Sequence, residues 1–286
     1  MVTQTQLAVR PAEAKDRPQL TNILHFETYV HRHLDWRPPL DWLGHAPFLV
    51  IEDANRVKAA IACPPDPPDV AWIRLFATTN STTSMQAWEL FWPQIQTHFA
   101  KHNQNIYLAA IPLQNWFEKL LQDCDFSHSH DVVMQICEDT KKDIPAPSEA
   151  ASIRPMVAAD IKEVAEVDAA SFDTLWHNSL DALQLAFTQA AIASVAEQDG
   201  HIVGYQISTP SPVGVHLARL AVLPRAQGQG IGYAIVADLL KNFPGSREQS
   251  VSVNTQHDNK ASLALYEKAG FKRTGETYPI YQLQLS

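Results

Sequence analysis

The sequence is poor in cysteine, in long apolar runs and in clustered basic residues, and each shortage excludes a class of protein. Its three cysteines, Cys63, Cys124 and Cys137, lack the spacing of metal ligands, so we expect buried thiols and no metal site. No apolar run reaches the length of a membrane span, and Met1 to Ala8 do not resemble a signal peptide. We therefore expect a cytoplasmic protein with no membrane partner.

The net charge and its distribution argue against nucleic-acid binding. The formal net charge is −9, and the Lys and Arg residues form no stripe along any segment. A nucleic-acid-binding protein needs clustered basic residues to neutralise phosphates. The acidic balance suits a cationic or neutral amine as partner better than a polyanion.

Glycine is scarce as well, but three of the ten glycines stand at alternate positions: Gly228, Gly230 and Gly232. They follow an apolar run, Leu217 to Leu223, and precede a segment with helical periodicity, Tyr233 to Leu240. Glycine accepts a positive φ and lets the backbone approach a ligand closely. Free N–H groups at the start of a helix attract anions. This pattern predicts a phosphate or pyrophosphate site.

Spacing separates the families that place glycines in this way. A P-loop needs a lysine after the last glycine, whereas Tyr233 and Ala234 follow Gly232 here. A dinucleotide fingerprint is G-x-G-x-x-G, whereas the spacing here is G-x-G-x-G. What remains is Q-x-x-G-x-G, from Gln227 to Gly232. It resembles the acetyl-CoA pyrophosphate loop of the GNAT superfamily of N-acetyltransferases.

A second segment carries the same resemblance. The run from Asn259 to Phe271 is N-K-A-S-L-A-L-Y-E-K-A-G-F, and Leu263, Tyr266 and Glu267 fall at helical spacing. It is similar to the family motif N-x-x-[AS]-x-x-L-Y-E-K-x-G-F. The resemblance implies that Asn259 contacts the cofactor and that Tyr266 is the general acid. The two segments occur in the family's order, about 30 residues apart.

The chain also repeats itself at an offset of 144 or 145 residues. Four pairs of segments match, and they begin at Ala8 and Ser152, Glu52 and Glu197, Arg74 and Arg219, and Phe117 and Ser262. A constant offset indicates duplicated domains. We expect a first domain over residues 1–139, a linker over 140–151 and a second domain over 152–286.

The first copy lacks the chemistry of the second. Thr82 to Ala87 replaces the glycine loop, Leu121 replaces Tyr266, and Gln114 replaces Asn259. Side chains in the loop would block the backbone from approaching a pyrophosphate. We therefore expect the first copy to be a structural or substrate-shaping half that does not bind CoA in the usual way.

The expected fold class is mixed α/β, with two tandem domains of the family's type. The resemblance implies a central mixed, mostly antiparallel sheet in each domain, flanked by helices, with strands four and five splayed apart. In the second copy we expect strands at Ser152–Pro155, Ile192–Glu197, His201–Thr209, Gly214–Leu223 and Ser250–Asn254, and a strand pair at Phe271–Leu285. Helices are expected at Ala158–Phe172, Ser179–Ala190, Gly230–Asn242 and Ala261–Ala269.

The resemblance implies direct attack of an amine on the thioester of acetyl-CoA. Backbone N–H groups near the splay would bind the thioester oxygen and the pantetheine. His216, eleven residues before Gln227, stands where some members carry a glutamate base, and a water relay is the alternative. Ribosomal-protein N-terminal acetyltransferases carry a glutamate five residues before the motif asparagine, where this chain has Asn254.

The expected site has two catalytic residues, Tyr266 and His216. The residues expected to bind the cofactor are Ala221, Val222, Leu223, Arg225, Gln227, Gly228, Gln229, Gly230, Ile231, Gly232 and Asn259. The leading hypothesis is acetylation of a small-molecule amine. The alternatives are an N-alpha-acetyltransferase of a protein or peptide terminus and a non-catalytic acyl-CoA-binding module. The oligomeric state stays open.

Overall fold

A computed structural model describes residues 7–101, 106–140, 144–243 and 249–285 of the chain. Contacts divide the chain into two compact units. The first contains the described residues up to Ser129 together with those from Pro279 onward, and the second runs from His130 to Tyr278. Within the described ranges, no helix is both long and apolar enough to cross a membrane.

The first unit has a five-stranded sheet in the order β1-β3-β4-β6-β2. Helix α1 packs its apolar residues on one core cluster, and α2 and α3 contribute to another. The elements are β1 Ala8–Pro11, α1 Arg17–Phe26, β2 Tyr29–Arg32, β3 Phe48–Asp53, β4 Arg56–Ala62, β5 Val70–Trp72, β6 Leu75–Thr78, α2 Ser84–Lys101, β7 Ile106–Ala110, α3 Asn115–Asp123 and the first residues of β8 Ser127–Cys137.

The second unit has its strands in the order β8-β13-β12-β11-β10-β9, all antiparallel except for the parallel pair β12 and β13. Its elements after β8 are β9 Ser152–Pro155, α4 Ile161–Ser171, α5 Leu180–Thr188, β10 Ile192–Gln198, β11 His201–Ser211, β12 Gly214–Val222, α6 Ile231–Asn242, β13 Ser250–Gln256, α7 Lys260–Lys268 and most of β14 Lys272–Leu285. The mixed α/β class is confirmed, and the elements of the second copy lie close to the expected ranges.

The final strand pair expected at Phe271–Leu285 is wrong, because Lys272–Leu285 is one continuous strand. Gly275 adopts a φ of +90° within it but does not reverse the chain. The end of β14, Tyr281–Leu285, pairs with β7 in the first unit. Conversely, Val132–Cys137 of β8 pairs with β13 in the second unit.

The expected domains follow one another along the chain, whereas each observed unit includes a segment from the other half. Each half of the chain contributes its last strand segment to the unit formed mainly by the other half. Residues 141–143 of the expected linker lie outside the described residues.

Matching ion-pair triads at the start of each copy in the sequence support the duplication. In each triad an arginine on the first strand of the copy binds an aspartate in the following turn and a glutamate on the strand three elements later. The Arg Nη1–Asp Oδ2 distance is 2.7 Å in both, and the Arg Nε–Glu distances are 2.8 and 2.9 Å. The triads are Arg10–Asp16–Glu52 and Arg154–Asp160–Glu197. The hydrogen bond from each arginine holds the pKa of its aspartate below the ordinary value.

Two of the three thiols are buried as expected, at Cys63 and Cys137, whereas Cys124 is half-buried. None of the three forms a disulfide.

Tyr281 provides a test of the contribution of β14 to the first unit. Its ring is 5% exposed in the first core, and its hydroxyl accepts from Gln122 Nε2 at 2.7 Å and donates to Glu118 at 3.0 Å. Tyr281→Ala should lower the free energy of unfolding by about 3 kcal/mol through the cavity it creates. Urea unfolding followed by tryptophan fluorescence measures this change.

Tyr107 on the neighbouring strand β7 is 40% exposed and provides the matched control. Tyr107→Ala should cost less than about 1 kcal/mol, as surface substitutions usually do. Equal effects of the two variants would mean that β14 does not complete this core.

Candidate active site

The glycine loop has the backbone conformation that its sequence predicts. A 3-10 turn, Pro224–Ala226, follows β12, and Gly228 and Gly230 then adopt φ values of +76° and +80°. Helix α6 begins at Ile231, directly after Gly230. The N–H groups of its first turn have no partner within the helix and are available to an anion.

Side chains around the loop hold its backbone in place. Gln227 Nε2 donates to the carbonyl of Val222 at 2.9 Å, and Gln229 Nε2 donates to the carbonyl of Arg225 at 3.4 Å. Ala226 and Ile231 are each 1% exposed and anchor the loop in the core. The residues from Gln227 to Gly230 stay exposed, so the loop presents its backbone to solvent.

Gly232 has a packing role in addition to its place in the motif. A Cβ at this position would lie 3.0 Å from Leu265 Cδ1, so glycine allows α6 and α7 to approach each other closely.

Residues 144–151, which belong to the expected linker, lie beside this loop. Tyr233 in the first turn of α6 donates its hydroxyl hydrogen to the carbonyl of Pro145 at 2.7 Å. Ser148 Cβ lies 3.0 Å from the point where a Cβ on Gly230 would stand. Gln198 Nε2 donates both to the carbonyl of Ala150 and to Gln229 Oε1, at 3.1 Å each. No sequence signal indicated these contacts.

Strands β12 and β13 separate after only four paired residues. Gly214–Leu217 pairs with Ser250–Val253 in parallel, and the pairing ends there. Ala218, the next residue of β12, is an extra residue in the ladder with β11, as in a β-bulge. The remainder of β12 is therefore uncovered on the β13 side. The splay implied by the resemblance is confirmed in the second unit.

Only part of the expected set of free N–H groups faces this gap. The N–H of Leu223 donates to the carbonyl of Val203 at 2.8 Å, so it is not unpaired. Such bonds recur at every second residue of an antiparallel ladder, so the N–H of Ala221 points to β11 as well. The N–H groups of Val222 and Leu220 face the gap. The free N–H groups expected at Leu223 and Ala221 are therefore wrong. The N–H of Leu220, which was not among the expected groups, faces the gap instead.

Tyr266 lies on α7 and is 4% exposed, next to Phe271 at a ring-centroid distance of 5.5 Å. Burial raises its pKa above the ordinary tyrosine value. The phenol therefore keeps its proton at neutral pH. Asn259 is the N-cap of α7, and its Oδ1 accepts from the N–H of Ser262 at 3.1 Å. Its amide NH₂ is the part left for a ligand.

His216 lies on the other face of the sheet. Its neighbours Val215 and Leu217 pack in the core that contains Tyr266, and alternation along β12 places His216 opposite them. Its Nδ1 lies 2.9 Å from Ser252 Oγ on β13. Burial lowers its pKa below the ordinary histidine value. The imidazole is therefore neutral at pH 7, as a base must be.

The sequence did not reveal a buried ion pair that ties the segment after α4 to β12. Asp168 on α4 is fully buried, and Arg219 Nε and Nη2 donate to its two oxygens at 2.7 and 2.9 Å. Tyr205 donates to the same carboxylate. Arg219 also donates to the carbonyl of Trp176 at 2.6 Å and lies 3.5 Å above the ring centroid of Phe172. Arg219 therefore fixes the loop between α4 and α5 against the strand that borders the gap.

Among the described residues of the first unit, no corresponding gap lies beside β6. Strand β2 pairs with β6 along its full length, from Tyr29–Thr78 to Arg32–Leu75. Ser84 begins α2 without a glycine turn, and Leu121 is buried in the core at the position of Tyr266. Within the described ranges, no group of three or more His, Cys, Asp and Glu side chains is placed to hold a metal.

Comparisons with known proteins identify the family of the second copy. A model of the acetyltransferase (GNAT) family matches residues 161–271. The N-alpha-acetyltransferase RimI of Mycobacterium tuberculosis is 30% identical over 136 residues, which cover 46% of this chain and 84% of RimI. The L-2,4-diaminobutyric acid acetyltransferase of Vibrio parahaemolyticus is 27% identical over 105 residues, covering 37% of this chain and 58% of that enzyme.

The fold of the whole chain also has solved counterparts. A tandem GNAT protein from the clavulanic acid biosynthesis pathway superposes with a TM-score of 0.62 at 16% identity. The match covers 98% of this chain and 99% of the other. At this identity the likeness concerns the fold alone.

Gly230 provides a test of the loop. An alanine there would have to adopt a φ of +80° and would place its Cβ 3.0 Å from Ser148 Cβ. The strained backbone costs about 1–2 kcal/mol, so Gly230→Ala should weaken CoA binding about tenfold or more in calorimetry. Gly200→Ala has the same φ strain, at +79° with no atom within 4 Å, and lies outside the loop. It should leave CoA affinity unchanged, and unchanged affinity in both variants would exclude the loop as the binding element.

Proposed function

This chain belongs to the acetyltransferase (GNAT) family of acyltransferases, and we propose that its second unit uses acetyl-CoA to acetylate a primary amine of a small molecule. The observation that carries the proposal is the combination of an interrupted strand pair and a glycine loop at the end of the same strand, β12. The first supplies backbone N–H groups beside a gap, and the second supplies an anion site.

The residues around the loop fit the diphosphate of acetyl-CoA. The backbone from Gln227 to Gly230 is exposed up to the start of α6, with two glycines at positive φ, and the side chain of Ser148 borders it at Gly230. Arg225 is exposed beside the loop and can meet a further phosphate. When bound, acetyl-CoA supplies an activated acetyl group as its thioester. The N–H groups of Val222 and Leu220 would donate to the pantetheine arm of the cofactor and to the thioester oxygen in the gap.

His216 and Tyr266 divide the proton transfers between the two faces of the sheet. An alkyl ammonium has a reference pKa near ~10 and must lose a proton before it can attack. His216, neutral on the acceptor side, takes this proton directly or through water. Tyr266, on the other face, keeps its proton at neutral pH and gives it to the departing thiolate through the gap.

The choice of a small amine rests on a departure from the family's protein-directed members. Ribosomal-protein N-terminal acetyltransferases carry a glutamate five residues before the motif asparagine, and this chain has Asn254 there. The resemblance to RimI keeps an N-alpha-acetyltransferase as the second candidate. The buried Tyr266 argues against a non-catalytic binder, which has no use for an acid near the gap.

A turnover screen tests the proposal with the full chain. Release of free thiol from acetyl-CoA is measured with D-glucosamine, spermidine, L-2,4-diaminobutyrate and an alanine-initiated peptide as acceptors. Turnover of a small amine supports the proposal, whereas turnover of the peptide alone supports the second candidate. Binding of CoA without turnover of any acceptor would indicate a binding module.

Tyr266→Phe removes the proposed acid without altering the ring that packs against Phe271. We expect kcat to fall by about 10²–10⁴, since that is the usual contribution of a positioned general acid. Tyr278→Phe removes the hydroxyl of a half-buried tyrosine elsewhere in the unit and serves as control. An unchanged rate for Tyr266→Phe would remove this residue from the mechanism.

The lowered pKa of His216 predicts the acid limb of the pH profile. A base acts in its deprotonated form, so activity should stay high as the pH falls through 6.5, the ordinary histidine value, and decline only below it. Stopped assays of kcat/KM between pH 5 and 8 measure this limb. His216→Ala should lower kcat/KM by about 10² or more and abolish the limb. A wild-type midpoint above 6.5, or an unaltered limb in the variant, would favour the water relay.

A further inference from the structure

Among the buried polar atoms of the second unit that have no hydrogen-bond partner within the described residues, two lie on the face of the sheet that carries His216, and neither has a role in the mechanism above. They are Asn254 Oδ1 on β13 and His130 Nδ1 on β8. A buried polar atom without a partner costs about 1–3 kcal/mol, so an atom of this kind beside a proposed active site is a candidate to bond with the substrate.

Strand register places both atoms on the face of the sheet that carries His216, which is called the acceptor face because the proposed mechanism puts the amine there. Asn254 is two residues after Ser252, which bonds to His216, so the two side chains share a face. Asn254 pairs with Met134, and alternation along β8 puts His130 on the same face as Met134. The His130 ring meets the ring of Trp176, in the loop held by Arg219, at a centroid distance of 6.4 Å.

Asn254 also has a special position relative to the gap. The pairing of β12 with β13 ends at Leu217 and Val253, so Asn254 is the first residue of β13 beyond the separation. Its amide therefore lies at the start of the gap, two residues along β13 from the Ser252 that bonds to His216.

The chemistry of an amide suits an amine nucleophile. Asn254 Oδ1 can accept one N–H hydrogen and so orient the amine, leaving the lone pair free to attack. A carboxylate at this point would favour the charged ammonium and raise its pKa, which opposes deprotonation. The neutral amide orients the amine without this opposition.

The neighbouring side chains are neutral as well. His216, Ser252 and Asn254 carry no net charge on this face at neutral pH, and the buried charges of Asp168 and Arg219 neutralise each other. A second charge on the acceptor beside its amine would be buried without a partner among these side chains, which is costly.

We propose that the Asn254 side chain binds the primary amine of the acceptor at the start of the gap, and that the acceptor carries neutral hydrogen-bonding groups, such as hydroxyls, beside that amine. This inference rests on the proposed function. Among the acceptors named above, it selects D-glucosamine over spermidine and the peptide.

The test compares acceptor preference in the full-length protein and three variants. Wild type should show the highest kcat/KM with D-glucosamine. Asn254→Ala should raise the KM for this amine about tenfold, the value of one lost hydrogen bond, with a smaller change in kcat. Asn254→Asp should raise the spermidine-to-glucosamine ratio of kcat/KM about tenfold or more, because its carboxylate attracts a polycation.

Asn55→Asp makes the same charge change in an exposed turn of the first unit and should leave the preference unchanged. Calorimetry with CoA should give the same Kd for all four proteins. It separates a failure of the proposed function from a failure of the Asn254 inference. Failure of CoA to bind the wild type would contradict the proposed function itself. With CoA bound, the Asn254 inference is overturned if wild type prefers spermidine or the peptide, acetylates none of the three, or keeps its preference in Asn254→Asp.

Discussion

The site depends on one interruption of strand pairing. Strands β12 and β13 share four residue pairs and then part, and the residues of the proposed site are described relative to that point. The N–H groups of Leu220 and Val222 are left facing a gap, His216 and Asn254 flank its start on one face, and Tyr266 lies on the other. Unpaired backbone groups inside a sheet are costly unless a ligand satisfies them. The interruption therefore destabilises the empty sheet locally and favours a ligand that can complete it.

The first unit shows what happens when the same interruption is closed. There β2 covers the free edge of β6, and the backbone groups are satisfied within the unit. The ion-pair triads of the two units match in residue type and closely in distance, so the halves share an architecture down to single hydrogen bonds. Loss of the glycine loop and occupation of the edge by β2 are therefore two independent reasons why the proposed chemistry belongs to the second unit alone.

The parts of the site that could be predicted from sequence are those determined by local rules. The turn from Gln227 to Gly232 and the placement of Tyr266 on α7 follow from glycine conformation and helical spacing. The direction of each N–H along β12 depends on the hydrogen-bonded register with β11, which is why Leu223 was assigned a free N–H that it lacks. The Asp168–Arg219 pair and the contacts of residues 144–151 join segments far apart in sequence and carry no local pattern. The exchange of terminal strands was missed for the same reason.

That exchange has a consequence for how the protein is made. During synthesis the N-terminal residues leave the ribosome first, yet β7 acquires its antiparallel neighbour only when Tyr281–Leu285 have been added. Until then the nascent chain presents an open strand edge and an incomplete apolar core, the features that recruit chaperones and promote aggregation. Domains usually fold in the order of translation. Here the half that is translated first stays incomplete until Tyr281–Leu285 have been translated.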